Sequence, residues 1–378
     1  MQIIFKIMIF SIVSMLQIDG SHNEGGGSIV RVALALSTLT QKPFEIKSIR
    51  SNRPNPGLKN QHLFCIKALE KLCNAKTENA FLGSTYLKFY SGKIEGKTID
   101  IDIETAGSIS LFLQSILLPS MLANKPVKLN ITGGTDAKWA APIDYFKELL
   151  LPQLRKYADI ECNLLRRGYY PKGNGKVEIK IKPKYKISDF NSFEELRANL
   201  KANAPKINLT NQHNLMQIKG ISHASLTLQD ANVAERQAKV AELVLNKLNC
   251  PINIQSEYCN ALSTGSGITL WAIFSKNKED IDFHNPIRLG ADALGEKGKK
   301  AEQVGIEAAN SLLKEINSKS PVDEHLADQI LPFMALFSGK IKTSSITGHT
   351  RTNIYAIEKF LGKIFEIDEQ EKIISTID

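Results

Sequence analysis

Apolar and polar positions follow one order three times along this chain. Ser28 to Thr40 reads as an apolar helix carrying Ile29, Val30, Val32, Ala33, Ala35 and Leu36. Gln41-Lys42-Pro43 turns the chain, and Phe44 to Ile49 alternates as a strand. A polar loop from Arg50 to Gly57 leads into a second helix, about Leu58 to Cys73, with Leu63, Ile66, Leu69 and Leu72 at helical spacing. The order returns as a strand at Ile99 to Ile103, an apolar helix from Ala106-Gly107-Ser108 to about Leu122, and a strand at Val127 to Ile131. The loop Gly133-Gly134-Thr135-Asp136 follows, then a helix from about Pro142 to Tyr157. It returns once more as a helix at Leu326 to Phe337, a strand at Lys340 to Ser345, the loop Thr347 to Arg351 and a helix from about Asn353 to Leu361. Three copies of one supersecondary unit predict a tandem α/β repeat with its equivalent loops on one side.

The stretch from 185 to 318 breaks this rhythm. A Lys/Asn-rich start gives way to a strand (Leu215 to Ile218), a long helix (about Asn232 to Leu248), two strands near Ile252 to Tyr258 and Ile268 to Phe274, and a helix from about Lys299 to Ile316. The expected organisation is a large repeat domain over 15–184 and 319–378, interrupted at 185–318 by a smaller α/β domain. Residues 1–14 are nearly all apolar, but too few to span a bilayer. They lack a basic n-region and an Ala-x-Ala site. They read as an appendage ahead of a natural start at Met15, and no membrane partner is expected.

Composition narrows the function classes. At 378 residues, 43% hydrophobic and 23% charged, the chain is an ordinary globular protein with room for two domains. The net charge of +9 suits an anionic partner, although scattered lysine is also plain solvated surface. Five cysteines, an odd number without a Cys-x-x-Cys, argue against a disulfide framework or a zinc site. They favour a reducing compartment, so an intracellular, cytoplasmic location is expected, or a nuclear one in a eukaryote.

Candidate chemistry gathers in the loops. Gly25 to Gly27 lie between the strand Leu16-Gln17-Ile18 and the first helix. Glycine lets backbone approach a ligand closely, and a helix starting there aims free N–H groups at an anion. Arg31 in the first turn reinforces such a site, and Glu24 at its mouth is a candidate metal ligand. Arg50 and Arg53 flank the next loop, with Gln61 and His62 just inside the following helix; guanidinium forks match phosphate oxygens. His349 stands in a strand-to-helix loop, after Gly348 and before a helix cap expected at Thr352-Asn353. A neutral imidazole attacks phosphorus well and leaves well afterwards. Arg166 to Gly175 mixes cations, aromatics and glycines, as a loop that holds single-stranded RNA does, and as a basic hairpin turn does. Taken singly, each of these also fits an ordinary polar loop.

Together the motifs resemble the RNA 3'-terminal phosphate cyclases over nearly the whole chain from about Leu16. The matching stretches are Asp19-Gly20 with Glu24 to Gly27 and Arg31; Ser48-Ile49-Arg50 with Arg53, Pro56-Gly57-Leu58 and Gln61-His62-Leu63; and Ala106-Gly107-Ser108 with Gln114. They continue as Gly133 to Asp136, Arg167 to Pro171, Leu326 to Gln329, and His349 with Thr352-Asn353. The resemblance implies three repeated units, each of two helices on a four-stranded sheet, and an inserted thioredoxin-like domain. It implies that His349 attacks the α-phosphorus of ATP, that AMP passes to an RNA 3'-phosphate, and that the neighbouring 2'-OH closes a 2',3'-cyclic phosphate. It further implies that Gln114 and His325, Leu326, Ala327, Asp328 and Gln329 contact ATP. Arg31, Arg50, Arg53, Gln61 and His62 would hold phosphates of ATP or RNA, and Glu24 a Mg2+ or Mn2+ ion.

Two departures bear on the nucleotide pocket. An aromatic residue is common in the family where His325 stands, and relatives often carry prolines where this chain reads Ala137-Lys138-Trp139-Ala140-Ala141. The nearest rival is the non-catalytic cyclase-like RNA-binding factor of ribosome assembly, which shares the fold but lacks the histidine. An enolpyruvyl transferase needs more repeats than this chain has room for. The oligomeric state, a homodimer included, stays open.

Overall fold

The computed structural model describes residues 15–277 and 282–377. The expected appendage 1–14 lies outside the described residues. The first unit runs β1 (Leu16–Asp19), α1 (Ser28–Thr40), β2 (Phe44–Lys47), α2 (Asn60–Cys73), β3 (Lys76–Glu78) and β4 (Leu87–Tyr90). Its sheet order is β1-β2-β4-β3; β1 and β2 are parallel, and the other pairs antiparallel. The second unit repeats this with β5 (Thr98–Asp102), α3 (Ile109–Met121), β6 (Val127–Gly133), a helix α4 over 143–154, β7 (Ala158–Arg166) and β8 (Gly175–Pro183), in the order β5-β6-β8-β7. Strands such as β5 and β8 alternate buried and exposed side chains, so one sheet face meets solvent. The helices supply the rest of the core: α1 is buried from Ser28 to Leu39.

The third unit begins earlier than the sequence pattern suggests. After α5 (Phe193–Asn203) comes β9 (Ile207–Leu209), followed by the insert: β10 (Asn214–Ser225), α6 (Val233–Leu245), β11 (Ile252–Cys259), β12 (Ser266–Ser275), β13 (Ile287–Leu294) and α7 (Ala301–Asn317). The unit resumes with α8 (Glu324–Phe337), β14 (Gly339–Lys342), α9 (Gly348–Leu361), β15 (Phe365–Asp368) and β16 (Ile373–Thr376). β9 pairs in parallel with β14, giving the order β9-β14-β16-β15 and the same connectivity as the other two units. The insert therefore does not start at 185: it occupies the connection between β9 and α8. Three residues in a Lys/Asn-rich context carry too little periodicity to mark a strand, yet Ile207 and Leu209 are buried on the core face. The insert has sheet order β11-β10-β12-β13 with a parallel β10–β11 pair and two helices packed together, a thioredoxin-like arrangement. Helix α1 packs on α3 and α9, which brings the first unit against the other two. No helix among the described residues is long and apolar enough to cross a membrane.

Candidate active site

Glu24, in the β1–α1 loop, joins the pieces of the site. Its Oε2 accepts from Arg53 Nη2 at 3.2 Å and from His349 Nδ1 at 3.1 Å. Glycine is needed opposite it: a Cβ on Gly348 would lie 2.5 Å from Glu24 Oε1. His349 is not in the loop before the helix but in the first turn of α9. Thr347 caps the helix, its hydroxyl accepting from the Thr350 N–H at 3.0 Å. The expected cap at Thr352-Asn353 lies a turn further on, because the reciprocal Thr347–Thr350 pair satisfies the free N–H groups first. Asp328 on α8 fixes this cap. Its Oδ1 accepts from the hydroxyls of Thr350 at 2.6 Å and Thr347 at 3.1 Å, while Asn353 Nδ2 donates to the Asp328 carbonyl at 2.9 Å.

The electrostatics suit a nucleophile. Burial holds the His349 pKa below its ordinary value; Arg31 and Arg53 push the same way, against Glu24. The ring is therefore neutral near pH 7, and with Nδ1 donating to Glu24 the lone pair sits on Nε2. Burial raises Asp328 to about 7 despite the two hydroxyls that favour its charge.

Beside Glu24 lies a crowd of cations. Arg31 is 6% exposed, donates from Nε to Gln114 Oε1 at 2.8 Å, and is pushed down to about 10 by burial. Arg50, held at φ 56°, has a buried Nε without a partner among the described residues. Burial also lowers its pKa, and Arg53 adds to the shift. His62 is fully buried and its pKa is driven well down by burial and by Arg31 and Arg50. Its Nδ1 accepts from the Lys59 N–H at 3.0 Å, so Nε2 carries the proton, and Nε2 has no partner among the described residues. It faces Gly27, where a Cβ would come within 2.3 Å. Gln61 lies beside Gly107 at the edge of this group. Close cations with unused donors and one carboxylate among them are a ready anion site.

A cleft of about 530 Å³ opens from His349 between the repeat domain and the insert. Gln114, His325, Asp328 and Gln329 line it. Leu326 and Ala327 do not: both are wholly buried on the core face of α8. Asp292 on β13, which the sequence did not single out, lines the cleft from the insert side. Burial raises its pKa to about 7.

The Arg167-Gly168-Tyr169 motif is a buried junction. Arg167 is 2% exposed and reaches Asp144 at 2.6 Å, Glu257 of the insert at 2.7 Å and Asp136 at 3.4 Å. His223 of β10 joins from the other side, Nε2 to Asp136 at 3.2 Å and Nδ1 to the Tyr169 hydroxyl at 2.8 Å. Asp136, Asp144 and His223 are the one group among the described residues close enough to share a metal ion, and Arg167 already fills it. Glu24 belongs to no such group among the described residues, and among them its Oε1 accepts no hydrogen bond while Oε2 accepts two.

A family model described as RNA 3'-terminal phosphate cyclase matches residues 22–367. The chain belongs to this family. Curated members of the cyclase family align along nearly its full length. The RNA 3'-terminal phosphate cyclase of Pyrococcus furiosus is 45% identical over 354 residues, 93% of this chain and 95% of the relative. Those of Methanosarcina acetivorans and Archaeoglobus fulgidus are 41% and 40% identical, covering 94% and 95% of this chain and 98% and 100% of the relatives. The cyclase-family match spans every loop described above, from Glu24 to His349.

Proposed function

We propose that this protein converts an RNA 3'-terminal phosphate to a 2',3'-cyclic phosphate at the cost of ATP, with His349 as nucleophile. The observation that carries the reading is the Glu24–His349 contact at 3.1 Å, beside a cluster of cations and at the mouth of the cleft. In the first step His349 Nε2 attacks the α-phosphorus of ATP; pyrophosphate leaves, and the Nδ1 proton stays on Glu24's side of the ring. A 3'-phosphate oxygen of the RNA then attacks the histidine-bound phosphorus, and the imidazole leaves. Finally the adjacent 2'-OH attacks the terminal phosphorus, AMP departs and the hydroxyl proton is released. Adenylylation supplies the leaving group that a phosphate monoester lacks, and the vicinal hydroxyl is already within reach.

In this reading Gln114, His325, Asp328 and Gln329 hold the adenosine part of ATP. Arg31, Arg50 and Arg53 neutralise phosphates as charge moves, the main protein contribution to such transfers, while Gln61 and the neutral His62 offer hydrogen-bond donors to them. Glu24 would hold Mg2+ or Mn2+ jointly with ATP phosphates, and the ion would supply further charge neutralisation. A cytoplasmic setting, where ATP is supplied, goes with this reading. The test is an ATP-dependent conversion of a 3'-phosphorylated oligonucleotide to a phosphatase-resistant end, absent in His349→Ala. A folded wild-type protein that binds RNA without converting it would favour the non-catalytic assembly factor.

A further inference from the structure

The turn that follows the buried Arg167 junction points outward and remains unexplained by it. Tyr170 is 78% exposed, and Leu262 and Leu226 of the insert are 55% and 48% exposed. They share one rim. The Lys172 N–H donates to Ser263 Oγ at 3.1 Å, beside Leu262, and Thr227, next to Leu226, meets Thr264 at 3.3 Å between hydroxyls. A cluster of large exposed apolar side chains marks a contact surface. Its charge is one-sided: 165–176 holds Arg166, Arg167, Lys172 and Lys176 and no acid. Arg167 is used inside the junction, and Arg166 braces the turn through Asn174. That leaves Lys172 and Lys176 facing solvent beside the exposed ring.

The turn also connects to the cation cluster by contact. Gly173, at φ 64°, lies so close to the next loop that a Cβ there would be 2.5 Å from the Thr105 carbonyl and 2.8 Å from Ala106 Cα. One residue on, a Cβ at Gly107 would be 3.7 Å from Gln61 Cβ, and Gln61 adjoins His62. Backbone packing thus runs from the proposed phosphate cluster through 105–107 to the tip at 170–173. We propose that this turn and rim receive the single-stranded body of the RNA, upstream of its 3'-phosphate, with Tyr170 stacked on a base and Lys172 against a backbone phosphate. An exposed ring flanked by lysines fits a single strand better than a protein partner, since every base offers a flat face and every linkage a charge. The proposal rests on the cyclase reading for the identity of the strand.

The test compares a 3'-phosphorylated dinucleotide, which the proposal leaves short of the turn, with an oligonucleotide of a dozen residues, on the full chain. Tyr170→Ala should raise KM for the longer substrate roughly 5- to 100-fold, the range of one lost stacking contact. It should leave KM for the dinucleotide and the labelling of the protein by ATP unchanged. Tyr170→Trp should restore the longer substrate, and Lys172→Ala should flatten the salt dependence of its binding. Equal effects on both lengths, or no effect on either, overturn the proposal. Fluorescence anisotropy of a labelled oligonucleotide without ATP separates the two claims. Length-dependent binding lost in Tyr170→Ala, with no cyclisation by wild type, keeps the RNA path and defeats the cyclase reading. Cyclisation with no Tyr170 dependence does the reverse.

Discussion

Asp328→Asn separates the charge of this residue from its geometry. The amide keeps an oxygen where Oδ1 accepts from Thr350 at 2.6 Å and Thr347 at 3.1 Å, so the cap carrying His349 is retained. What disappears is a carboxyl that burial raises to about 7, against about 3.9 in an unfolded chain. Between those values the native state keeps a proton that the unfolded chain has released. Stability therefore falls through this group as pH rises from about 4 to about 7, and is level above that. At about 1.4 kcal/mol per unit, wild type loses about 2 to 3 kcal/mol through this carboxyl between pH 5 and pH 8, a loss the variant does not share. Asp292 titrates in the same window, but it does so in both proteins and leaves the difference unchanged. Urea unfolding at several pH values measures the effect. The variant should gain about 2 to 3 kcal/mol on wild type from pH 5 to pH 8. A difference that stays constant, or moves the other way, refutes the argument that burial raises this carboxyl.

Two further outcomes follow from the site and its supports. Glu24→Gln should slow adenylylation about 10- to 100-fold, the worth of one charged hydrogen bond. It should also move the acid limb of the pH–rate profile to lower pH, because the Glu24 carboxylate raises the His349 pKa against burial and the neighbouring cations; an unmoved limb in stopped-flow or quench kinetics would count against the contact. Arg167→Met should destabilise the protein by about 3 to 5 kcal/mol in urea unfolding, since it leaves buried acids without their cation; a loss below about 1 kcal/mol would mean that the junction is hydrated.

What the sequence made legible follows from the range of the forces involved. Apolar helices such as α1 and α3 repeat every few residues and could be bounded closely. β9 is three residues long and owes its place to β14, more than a hundred residues on, so local pattern missed it. Arg167 looked like a surface cation because its acids stand 23, 31 and 90 residues away in sequence. His349, Glu24 and the arginines were visible as motifs, whereas the Glu24–His349 contact arises only when the first and third units pack together. The cap at Thr347 has a local signal, a threonine followed three residues later by another, one turn ahead of the Thr352-Asn353 pair. Leu326 and Ala327 sit inside a matching motif, but helical geometry turns them to the core while His325, Asp328 and Gln329 face the cleft. Asp292 lies on a strand of the insert, where nothing nearby in sequence points to a nucleotide.

The most direct test of the account is the covalent step. Purified protein is incubated with ATP labelled at the α-phosphorus and a divalent metal, then denatured and separated. The account predicts an acid-labile label on the wild-type chain, absent from His349→Ala and discharged by an RNA with a 3'-phosphate. A folded wild-type protein that takes up no label, with or without RNA, contradicts it.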